Sequence, residues 1–316
     1  MTAAHYLVGI DGGGSTVRAV VATPDLVIVG RAEGSPANPG VVGRAQAARA
    51  IREAMDAALE AGGVAPDEVA AVCLGVAGAA ASHSAAWLHD VAAGVTPDAL
   101  IVPSADYEIA LVGALGARRG VLVLAGTGSL AYGVNARGRS ALVGGWGYLL
   151  GDEGSGYWLG MRGLKAVAWA DDGRGPQTAL SAALLEALGL AAPRDLIPWL
   201  YQSGEPRTQA VARLAEVVLD TAAQGDAVAL ALVAQGAGHL ARAARTVMRT
   251  LGMRRPPVAF AGGLLGAPNP LSEALCARLR LTELPVPRYP PVMGAVLLAR
   301  EQLSSASKQD RPGTTG

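Results

Sequence analysis

Residues 11–16 read Asp-Gly-Gly-Gly-Ser-Thr, and these residue types could together hold a phosphate group and a metal ion. Glycine lets the backbone approach a ligand closely, and hydroxyl groups follow at Ser15 and Thr16. The carboxylate of Asp11 is in a position to hold Mg²⁺ through water, because Mg²⁺ usually keeps several of its waters in proteins. We therefore take residues 12–16 as a candidate phosphate loop, called loop 1.

The residues on either side of loop 1 predict a β-hairpin. Apolar and β-branched residues precede the loop at 6–10 and follow it at 17–21, and a Pro-Asp turn leads to another strand at 26–29. A P-loop or a dinucleotide fingerprint needs a helix directly after its glycines. The P-loop lysine is also missing, because Val17 and Arg18 follow the hydroxyls. An acidic hairpin loop of this kind resembles the actin, heat-shock chaperone and sugar-kinase superfamily, in which the loop approaches nucleotide phosphates.

The order of strand, glycine loop and strand recurs from residue 121. A strand at 121–125 leads into a loop at 126–129 (loop 2), which leads into a strand at 130–134, and a further strand at 258–261 ends in Gly262-Gly263. One such loop alone is more often a simple turn, but three in this order favour a ligand site. An internal repeat of a phosphate hairpin predicts two related domains that face each other.

The remaining sequence alternates between helical and strand patterns. In the first predicted helix, Ile51, Met55 and Leu59 recur every four residues before a Gly-Gly stop. The run at 69–76 is uninterruptedly apolar, which is typical of a strand covered on both faces. The predicted elements are helices at 44–61, 85–93, 106–115, 270–280 and 292–303, several helices within 155–251, and strands at 69–76, 100–103 and 139–143.

Four carboxylates stand out as candidates for chemistry: Asp11, Asp106, Asp152 and Glu153. Asp106 follows a predicted strand at the start of a helix, where it could be an N-cap or the base that orients and deprotonates an attacking hydroxyl. Asp152 and Glu153 lie in the segment 144–155, which also contains five glycines, a Trp and a Tyr. That mixture fits a polyol-binding loop, because carboxylates accept sugar hydroxyls and aromatic faces pack on sugar C–H groups.

Taken together, these motifs resemble the N-acetylglucosamine kinase family of the BadF/BadG/BcrA/BcrD ATPase group. The resemblance covers about residues 5–300, and its most specific part is Gly-Gly-Trp-Gly at 144–147 followed by Gly-Asp-Glu-Gly-Ser at 151–155. Ser15 stands where the family commonly has Thr, and the hydroxyl is retained. The residues that carry the resemblance are 11–15, Asn38, Asp106, 126–129, 144–147, 151–155 and Gly262-Gly263.

The resemblance implies a role for each matched residue. Asp106 would be the base and would face the attacking 6-hydroxyl of the sugar, and Asp11 would face Mg²⁺. The sugar site would comprise Asn38, Asp106, Gly145, Trp146, Gly147 and Asp152. ATP would be held by Gly12, Gly13, Gly14, Ser15, Thr16, Gly126, Thr127, Gly128, Ser129, Gly262 and Gly263, with the last two near the adenosine.

The resemblance also implies the architecture, which is an α/β protein of two RNase H-like (actin-like ATPase) domains with mixed sheets, flanking helices and a central cleft. We expect an N-terminal domain at 1–117, completed by the helix 291–303, a C-terminal domain at 118–290, and a disordered polar tail at 304–316. The implied function is an ATP-dependent kinase of an amino sugar, N-acetylglucosamine or glucosamine, with N-acetylmuramic acid or glucose as alternatives. The family often forms homodimers.

Composition restricts the other classes of function. The chain has 316 residues, and its 26 basic Lys and Arg residues balance its 26 Asp and Glu residues. It therefore has no general attraction to nucleic acid or to an anionic membrane. The N-terminus lacks the basic region of a signal peptide, and no uncharged apolar stretch of about 18 residues forms a convincing span. We expect a cytoplasmic protein with a small-molecule substrate.

Three alternatives to this kinase family are disfavoured by the sequence. An ATP-driven activator of a dehydratase or reductase would hold an iron–sulfur cluster through cysteines, but Cys73 lies in a predicted strand and Cys276 in a predicted helix. A non-catalytic sugar sensor would need an attached DNA-binding module. The ROK sugar kinases carry a cysteine-rich zinc motif, and no cysteines here have zinc-ligand spacing. No single residue decides which sugar is used.

Overall fold

The computed structural model describes residues 5–78, 85–201 and 208–309, and the chain forms two compact units. Unit 1 comprises Met1–Arg119 and Pro287–Gly316, and unit 2 comprises Gly120–Val286. The sequence-based expectation put these divisions at 117/118 and 290/291. Each unit contains a mixed sheet with flanking helices, so the α/β fold class is confirmed.

Unit 1 is built on a five-stranded sheet in the order β3-β2-β1-β4-β5. Strands β1 to β3 are antiparallel neighbours, whereas β4 and β5 run parallel to β1. The third strand begins two residues later than expected, because Leu26 has a left-handed backbone (φ 67°) and belongs to the turn. The strands are β1 (Tyr6–Gly12), β2 (Val17–Ala22), β3 (Ile28–Gly34), β4 (Val69–Val76) and β5 (Leu100–Ser104).

Helices cover both faces of this sheet. Helix α2 buries Ile51, Met55 and Leu59 in one core with β1, β2 and β4, and it ends at a left-handed Gly63 (φ 62°). Helix α11 packs on the opposite face with α4, so closely that a Cβ on Gly294 would overlap with the Ile109 carbonyl. The helices of unit 1 are α1 (Pro39–Val42), α2 (Arg44–Gly62), α3 (Ala85–Ala93), α4 (Asp106–Leu115) and α11 (Pro291–Gln309).

Helix α11 corrects the expectation of a disordered tail from residue 304. It continues through residues 304–309, where the hydroxyls of Ser304 and Ser305 donate to the carbonyls of Arg300 and Glu301. Extending an existing helix by one turn needs no new nucleation, so a polar sequence can continue it. Residues 310–316 of the expected tail lie outside the described part of the chain.

Unit 2 is built on a four-stranded sheet in the order β8-β7-β6-β9, with β6 to β8 antiparallel and β9 parallel to β6. Its core is made mainly of Leu, Val and Ala side chains, with one phenylalanine, Phe260. The strands are β6 (Gly120–Ala125), β7 (Ser129–Val134), β8 (Ser140–Gly144) and β9 (Val258–Ala261), and the helices are α5 (Gly156–Asp171), α6 (Leu180–Leu188), α7 (Leu196–Tyr201), α8 (Thr208–Ala223), α9 (Ala227–Thr250) and α10 (Pro270–Leu279).

The two sheets share one plan, which confirms the repeat predicted from the sequence. Each begins with a three-stranded antiparallel meander whose first turn is a glycine loop, and a later parallel strand pairs with the first strand. In both units, the residues that follow this parallel strand form a backbone hydrogen bond to the last residue of the first strand. The N–H of Ala77 donates to the carbonyl of Gly12 (2.8 Å), and the N–H of Leu264 donates to that of Ala125 (3.2 Å).

Within the described residues, α9 is the helix whose length and hydropathy could suit a membrane span. Its apolar side, including Leu232, Val233, Leu240 and Val247, is buried in the core of unit 2. Packing against its own sheet therefore accounts for the hydropathy of α9.

Asp226 joins the starts of two helices in unit 2. Its carboxylate accepts the N–H of Ala229 in α9, the N–H of Ala179 before α6 and the hydroxyl of Thr178, each at 2.9 Å. Burial alone would raise the pKa of Asp226, but these donors outweigh it, so the pKa lies below its usual value.

We therefore predict that Asp226→Ala lowers the free energy of unfolding at pH 7 by about 0.5–2 kcal/mol, the usual range for loss of an N-cap. Because the pKa of Asp226 is lower in the folded state, its charged form stabilises the fold at pH values above the unfolded-state pKa near 4. This contribution is lost as the pH falls through the folded-state pKa. The difference between wild type and variant should shrink at about pH 2.5. Urea unfolding measures it, with exposed Asp220→Ala as the control; equal losses in the two variants would contradict the prediction.

Candidate active site

Loop 1 forms the tip of the β1–β2 hairpin and presents free backbone donors. The N–H of Gly13 closes the tip on the carbonyl of Thr16 (2.9 Å), and the carbonyl of Gly13 accepts the N–H of Ala37 (3.0 Å). In the part of the chain that the structure describes, the N–H groups of Gly14 and Ser15 donate to no acceptor. Such free donors can bind phosphate oxygens.

Asp11 and Asp106 lie at the same edge of the unit 1 sheet. Asp11 is at the end of β1, opposite Gly75 of β4, and Asp106 follows the end of β5, which is the next parallel strand. The pKa of Asp11 is raised to about 6, and burial is the main cause. The charge of Arg18 lowers this pKa, whereas the charge of Asp106 raises it further. The two carboxylates therefore interact directly through their charges.

Asp106 is the first residue of α4, and Ala105 occupies the N-cap position. The N-cap alternative for Asp106 is thus wrong, because its backbone is already helical. The carboxylate still accepts the N–H of Tyr107 and its own N–H, which lower the pKa, but burial is the larger influence and the pKa is raised. A raised pKa makes this carboxylate a stronger base than a solvated aspartate.

Asn38 has one half of its amide fixed by the backbone. Its Oδ1 accepts the N–H of Gly40 (2.8 Å) and caps α1. Gly78 has φ 73°, and a Cβ there would lie 2.5 Å from Oδ1, so only glycine fits beside Asn38. Among the described residues nothing accepts from its Nδ2, which leaves this donor for a ligand.

Backbone hydrogen bonds from the start of α5 fix the position of loop 2. The N–H groups of Gly156 and Tyr157 donate to the carbonyls of Gly126 (2.8 Å) and Thr127 (3.2 Å), and Gly126 closes the tip on Gly128 (2.9 Å). The N–H groups of Thr127 and Gly128 have no acceptor within the described ranges. Loop 2 therefore resembles loop 1 in having fixed carbonyls and free N–H donors.

Asp152 is buried beside loop 2, where it adopts a left-handed backbone (φ 60°). Its Oδ1 accepts the N–H of Ser129 (3.2 Å), while the Ser129 hydroxyl donates to the carbonyl of Glu153 (3.1 Å). Burial is the main cause of a raised pKa at Asp152, Ser129 lowers the pKa and Glu153 raises it. Asp152 thus positions loop 2, a role that the sequence analysis did not assign to it, and within the described residues its second carboxylate oxygen forms no hydrogen bond.

The segment 144–151 exposes apolar side chains on a glycine-rich backbone. Trp146 is 74% exposed, Leu149 82% and Leu150 79%, and Gly145 and Gly147 have positive φ values of 73° and 80°. An exposed indole can pack on the C–H face of a sugar ring. This geometry agrees with the predicted role of the segment, which stays a prediction.

Gly262 lies against loop 2 of the same unit. Its φ is 87°, and a Cβ would come within 2.2 Å of the Ala125 carbonyl, so any side chain would collide with the end of β6. The structure therefore brings Gly262 next to Gly126, and a common ligand for Gly262, Gly263 and loop 2 stays a prediction.

Arg18 is a residue that the sequence reasoning did not assign to the site. It stands opposite Asp11 in the hairpin, with its guanidinium 3.9 Å from the Asp11 carboxylate and 3.0 Å from that of Glu33. Hairpin register could have revealed it, because a turn centred on residues 14–15 pairs residue 11 with residue 18.

The carboxylates near loop 1 suit Mg²⁺ better than a metal ion that is held by protein side chains alone. Within the described residues, no three or more His, Cys, Asp or Glu side chains are grouped so that they could hold a metal ion by themselves. Mg²⁺ usually keeps several waters and is held by one or two carboxylates together with substrate phosphates. Asp11 and Asp106, whose mutual repulsion a cation would relieve, fit that requirement.

The duplicated hairpins, their free N–H donors and the acidic residue beside loop 1 define an ATPase of the actin-like fold. The sequence model of the BadF/BadG/BcrA/BcrD ATPase family matches residues 8–299, and the chain belongs to that family. The resemblance drawn from the motifs is thereby confirmed.

Similarities to individual proteins agree with this family assignment. The chain is 33% identical to the N-acetylmuramic acid/N-acetylglucosamine kinase of Clostridium acetobutylicum, over 94% of this chain and 99% of that protein. It is 29% identical to the N-acetyl-D-glucosamine kinase of Dictyostelium discoideum, over 93% and 98%. A crystal structure from Chromobacterium violaceum, described as an N-acetylglucosamine kinase, has a TM-score of 0.73 at 29% identity and covers 93% of this chain and 99% of its own.

The pKa of Asp11 gives a prediction on stability. The folded pKa of about 6 exceeds the unfolded value near 4. Protonated Asp11 therefore contributes to the stability of the fold below pH 4, and this contribution is lost as the pH rises through 6. We predict that Asp11→Asn raises the free energy of unfolding by about 1–3 kcal/mol at pH 7.5 and has little effect at pH 4. Urea unfolding without Mg²⁺ measures this, with exposed Asp25→Asn as the control. A variant less stable than wild type at pH 7.5 would refute it.

Loop 2 allows a matched pair of glycine substitutions. A Cβ on Gly128 would lie 2.7 Å from the Asp152 carboxylate, whereas a Cβ on Gly126 meets nothing within 4 Å. We predict that Gly128→Ala lowers the free energy of unfolding by about 1–3 kcal/mol, the typical cost of overpacking, and weakens ATP binding. Gly126→Ala should lose much less stability. Urea unfolding and calorimetric ATP titration test the pair, and equal effects would contradict the role of Asp152.

Proposed function

We propose that the protein is an ATP-dependent sugar kinase that phosphorylates the 6-hydroxyl of an amino sugar, N-acetylglucosamine or glucosamine. The observation that carries the proposal is the pair of interacting carboxylates, Asp11 and Asp106, at the sheet edge that bears loop 1. Relatives named as kinases of N-acetylglucosamine, over nearly the whole chain, support the choice of substrate.

Asp106 is proposed as the base. The oxygen of the sugar 6-hydroxyl forms a bond to the γ-phosphorus of ATP, the bond between that phosphorus and the β,γ-bridging oxygen breaks, and ADP leaves. The proton of the hydroxyl passes to the Asp106 carboxylate. The raised pKa of Asp106 favours this transfer, and because the transition state is loose, the proton can leave late.

The phosphates of ATP are proposed to bind the free backbone donors of both glycine loops. In unit 1 these are the N–H groups of Gly14 and Ser15, and in unit 2 those of Thr127 and Gly128. Because the loops are fixed by their own hydrogen bonds, these donors are oriented before the reaction and can stabilise the transferring phosphoryl group. Gly262 and Gly263 would lie near the adenosine.

Mg²⁺ is proposed as the cofactor, held by Asp11 through water with Asp106 nearby. When bound, it neutralises charge on the phosphates. Deprotonation of Asp11, whose pKa is about 6, is required for this role, so binding of the metal should weaken in acid.

The sugar is proposed to bind through Asn38, Asp106 and the segment 144–152. The free Nδ2 of Asn38 can donate to a sugar hydroxyl, and the exposed Trp146 ring can cover a sugar face. The backbone at Gly145 and Gly147 and the second oxygen of Asp152 would complete these contacts. We further propose a cytoplasmic location and, as the family resemblance implies, a homodimer.

The cysteines do not support the activator alternative. Cys73 is fully buried in β4, and burial raises the pKa of its thiol far above the usual range. The pKa of Cys276 is also raised, mainly by burial, and its Sγ contacts the carbonyl of Glu283. Thiols that stay protonated are poor cluster ligands.

The role of Asp106 is tested by Asp106→Asn, which keeps the shape of the side chain but removes the base. We predict that turnover falls by about two to four orders of magnitude, while the affinities for ATP and sugar change little. Coupled detection of ADP release and calorimetric titration measure the two effects. Exposed Asp56→Asn in the same unit serves as the control, and near-wild-type turnover of Asp106→Asn would remove Asp106 from the mechanism.

The choice of sugar is tested by measuring ADP release with N-acetylglucosamine, glucosamine, N-acetylmuramic acid and glucose. We expect the highest kcat/KM with N-acetylglucosamine or glucosamine. ADP release that none of the sugars stimulates would overturn the kinase proposal.

A further inference from the structure

The start of α4, which carries Asp106, has no side-chain cap. Ala105 occupies the N-cap position, and its methyl group cannot accept the N–H groups of the first turn. Ala105 is also the single residue between Asp106 and Ser104, the last residue of β5. The direction of the Asp106 side chain therefore depends on how this short junction between strand and helix is held.

Glu108, in the first turn of α4, connects the junction to two other side chains. Its Oε2 accepts the hydroxyl of Ser104 (3.0 Å), and its Oε1 accepts both the Nε (2.8 Å) and a terminal nitrogen (2.6 Å) of Arg118. Arg118 lies in the connection between α4 and β6. The side chain of Glu108 is 16% exposed, and hydrogen bonds sheltered from water are stronger. Both carboxylate oxygens are thus held in place.

Ser104 connects Glu108 to the part of the sheet that carries Asp11. Ser104 pairs with Gly75 of β4, and Gly75 pairs with Asp11 of β1. A Cβ on Gly75 would overlap with the side chain of Ile109, so α4 packs directly on this row of residues. The hydrogen bond from Ser104 to Glu108 therefore fixes the start of α4 relative to Asp11.

The opposite end of α4 is fixed by the backbone. The carbonyls of Gly113 and Ala114 accept the N–H groups of Tyr289 and Arg288, each at 3.0 Å. With its C-terminal end held in this way, the helix can still shift at its start, where a side-chain cap is lacking. The bonds of Glu108 restrain that movement.

Stability alone is a weak explanation for this group of side chains. Removal of two charges from water offsets much of their attraction, and apolar residues of similar size often stabilise a fold equally well. Hydrogen bonds from a guanidinium and a hydroxyl are directional, so they fix a carboxylate in one orientation. The arrangement around Glu108 therefore favours a role in geometry.

We propose that Glu108, held by Arg118 and Ser104, positions Asp106 for its reaction with the sugar hydroxyl. Glu108 acts through Asp106 and is a positioning residue, not a catalytic one. The inference rests on the proposed function, because it takes Asp106 as the base. Neither Glu108 nor Arg118 belongs to the motifs from which the sequence analysis assembled the site.

Two variants separate the position of the Glu108 side chain from its charge. Glu108→Asp keeps the charge but is too short to hold both partners, so we expect kcat to fall by about tenfold to a hundredfold, since small misplacements are costly in catalysis. Glu108→Gln keeps the length and can accept from Arg118 and donate to Ser104, so it should retain most of kcat. The affinities for ATP and sugar, measured by calorimetric titration, should stay unchanged in both.

Arg118 provides an independent variant with a matched control. Arg118→Ala should lower kcat as much as Glu108→Asp does, because it releases the same carboxylate. Arg119→Ala removes the same charge from the adjacent, exposed residue and should keep the wild-type kcat. Urea unfolding shows whether each variant is folded under the assay conditions. A kcat that falls only in step with the free energy of unfolding would overturn the proposal.

The combination with Asp106→Asn tests whether Glu108 acts through Asp106. Residues that act as a unit have non-additive effects, so Glu108→Asp should cause no further loss of kcat once Asp106→Asn is present. A further loss of the same size would overturn the positioning role, and so would a wild-type kcat in Glu108→Asp or equal losses in Glu108→Asp and Glu108→Gln. In those cases the kinase proposal stands if Asp106→Asn alone loses its turnover. Near-wild-type turnover of Asp106→Asn would remove the base and the positioning role together.

Discussion

One backbone hydrogen bond, made in the same way in both units, fixes the glycine loops on which the proposed chemistry depends. The carbonyl at the end of the first strand, Gly12 or Ala125, accepts an N–H from the chain that leaves the neighbouring parallel strand. A buried carbonyl must be paired, so this bond ties each hairpin to its parallel neighbour. The tip of the hairpin is thereby held while its remaining N–H groups stay free for an anion.

Burial of the acidic residues around these loops lowers the stability of the fold. Burial raises the pKa of Asp11, Asp106 and Asp152, which means that folding disfavours their charged forms near neutral pH. Arg18 and the N–H of Ser129 recover part of that cost. Such an arrangement is common at functional sites, and in unit 1 a bound cation would relieve the repulsion between Asp11 and Asp106.

The sequence revealed what is local or periodic. The hairpin context of loop 1, its repeat at loop 2, and the buried stripe of α2 follow from neighbouring residues. It did not reveal that Asp152 accepts the N–H of Ser129, because that bond joins residues 23 apart through a left-handed turn. The helical residues 304–309 were missed because element ends depend on packing.

Helix α11 also sets the order in which the units can be completed. Its Ala295, Val296 and Ala299 fill the core on one face of the unit 1 sheet, yet they follow all of unit 2 in the chain. During synthesis on a ribosome, unit 2 is a continuous segment that can fold as soon as it emerges. The sheet that carries Asp11 must wait, with one apolar face covered only in part by α4, until the last helix of unit 1 has been translated.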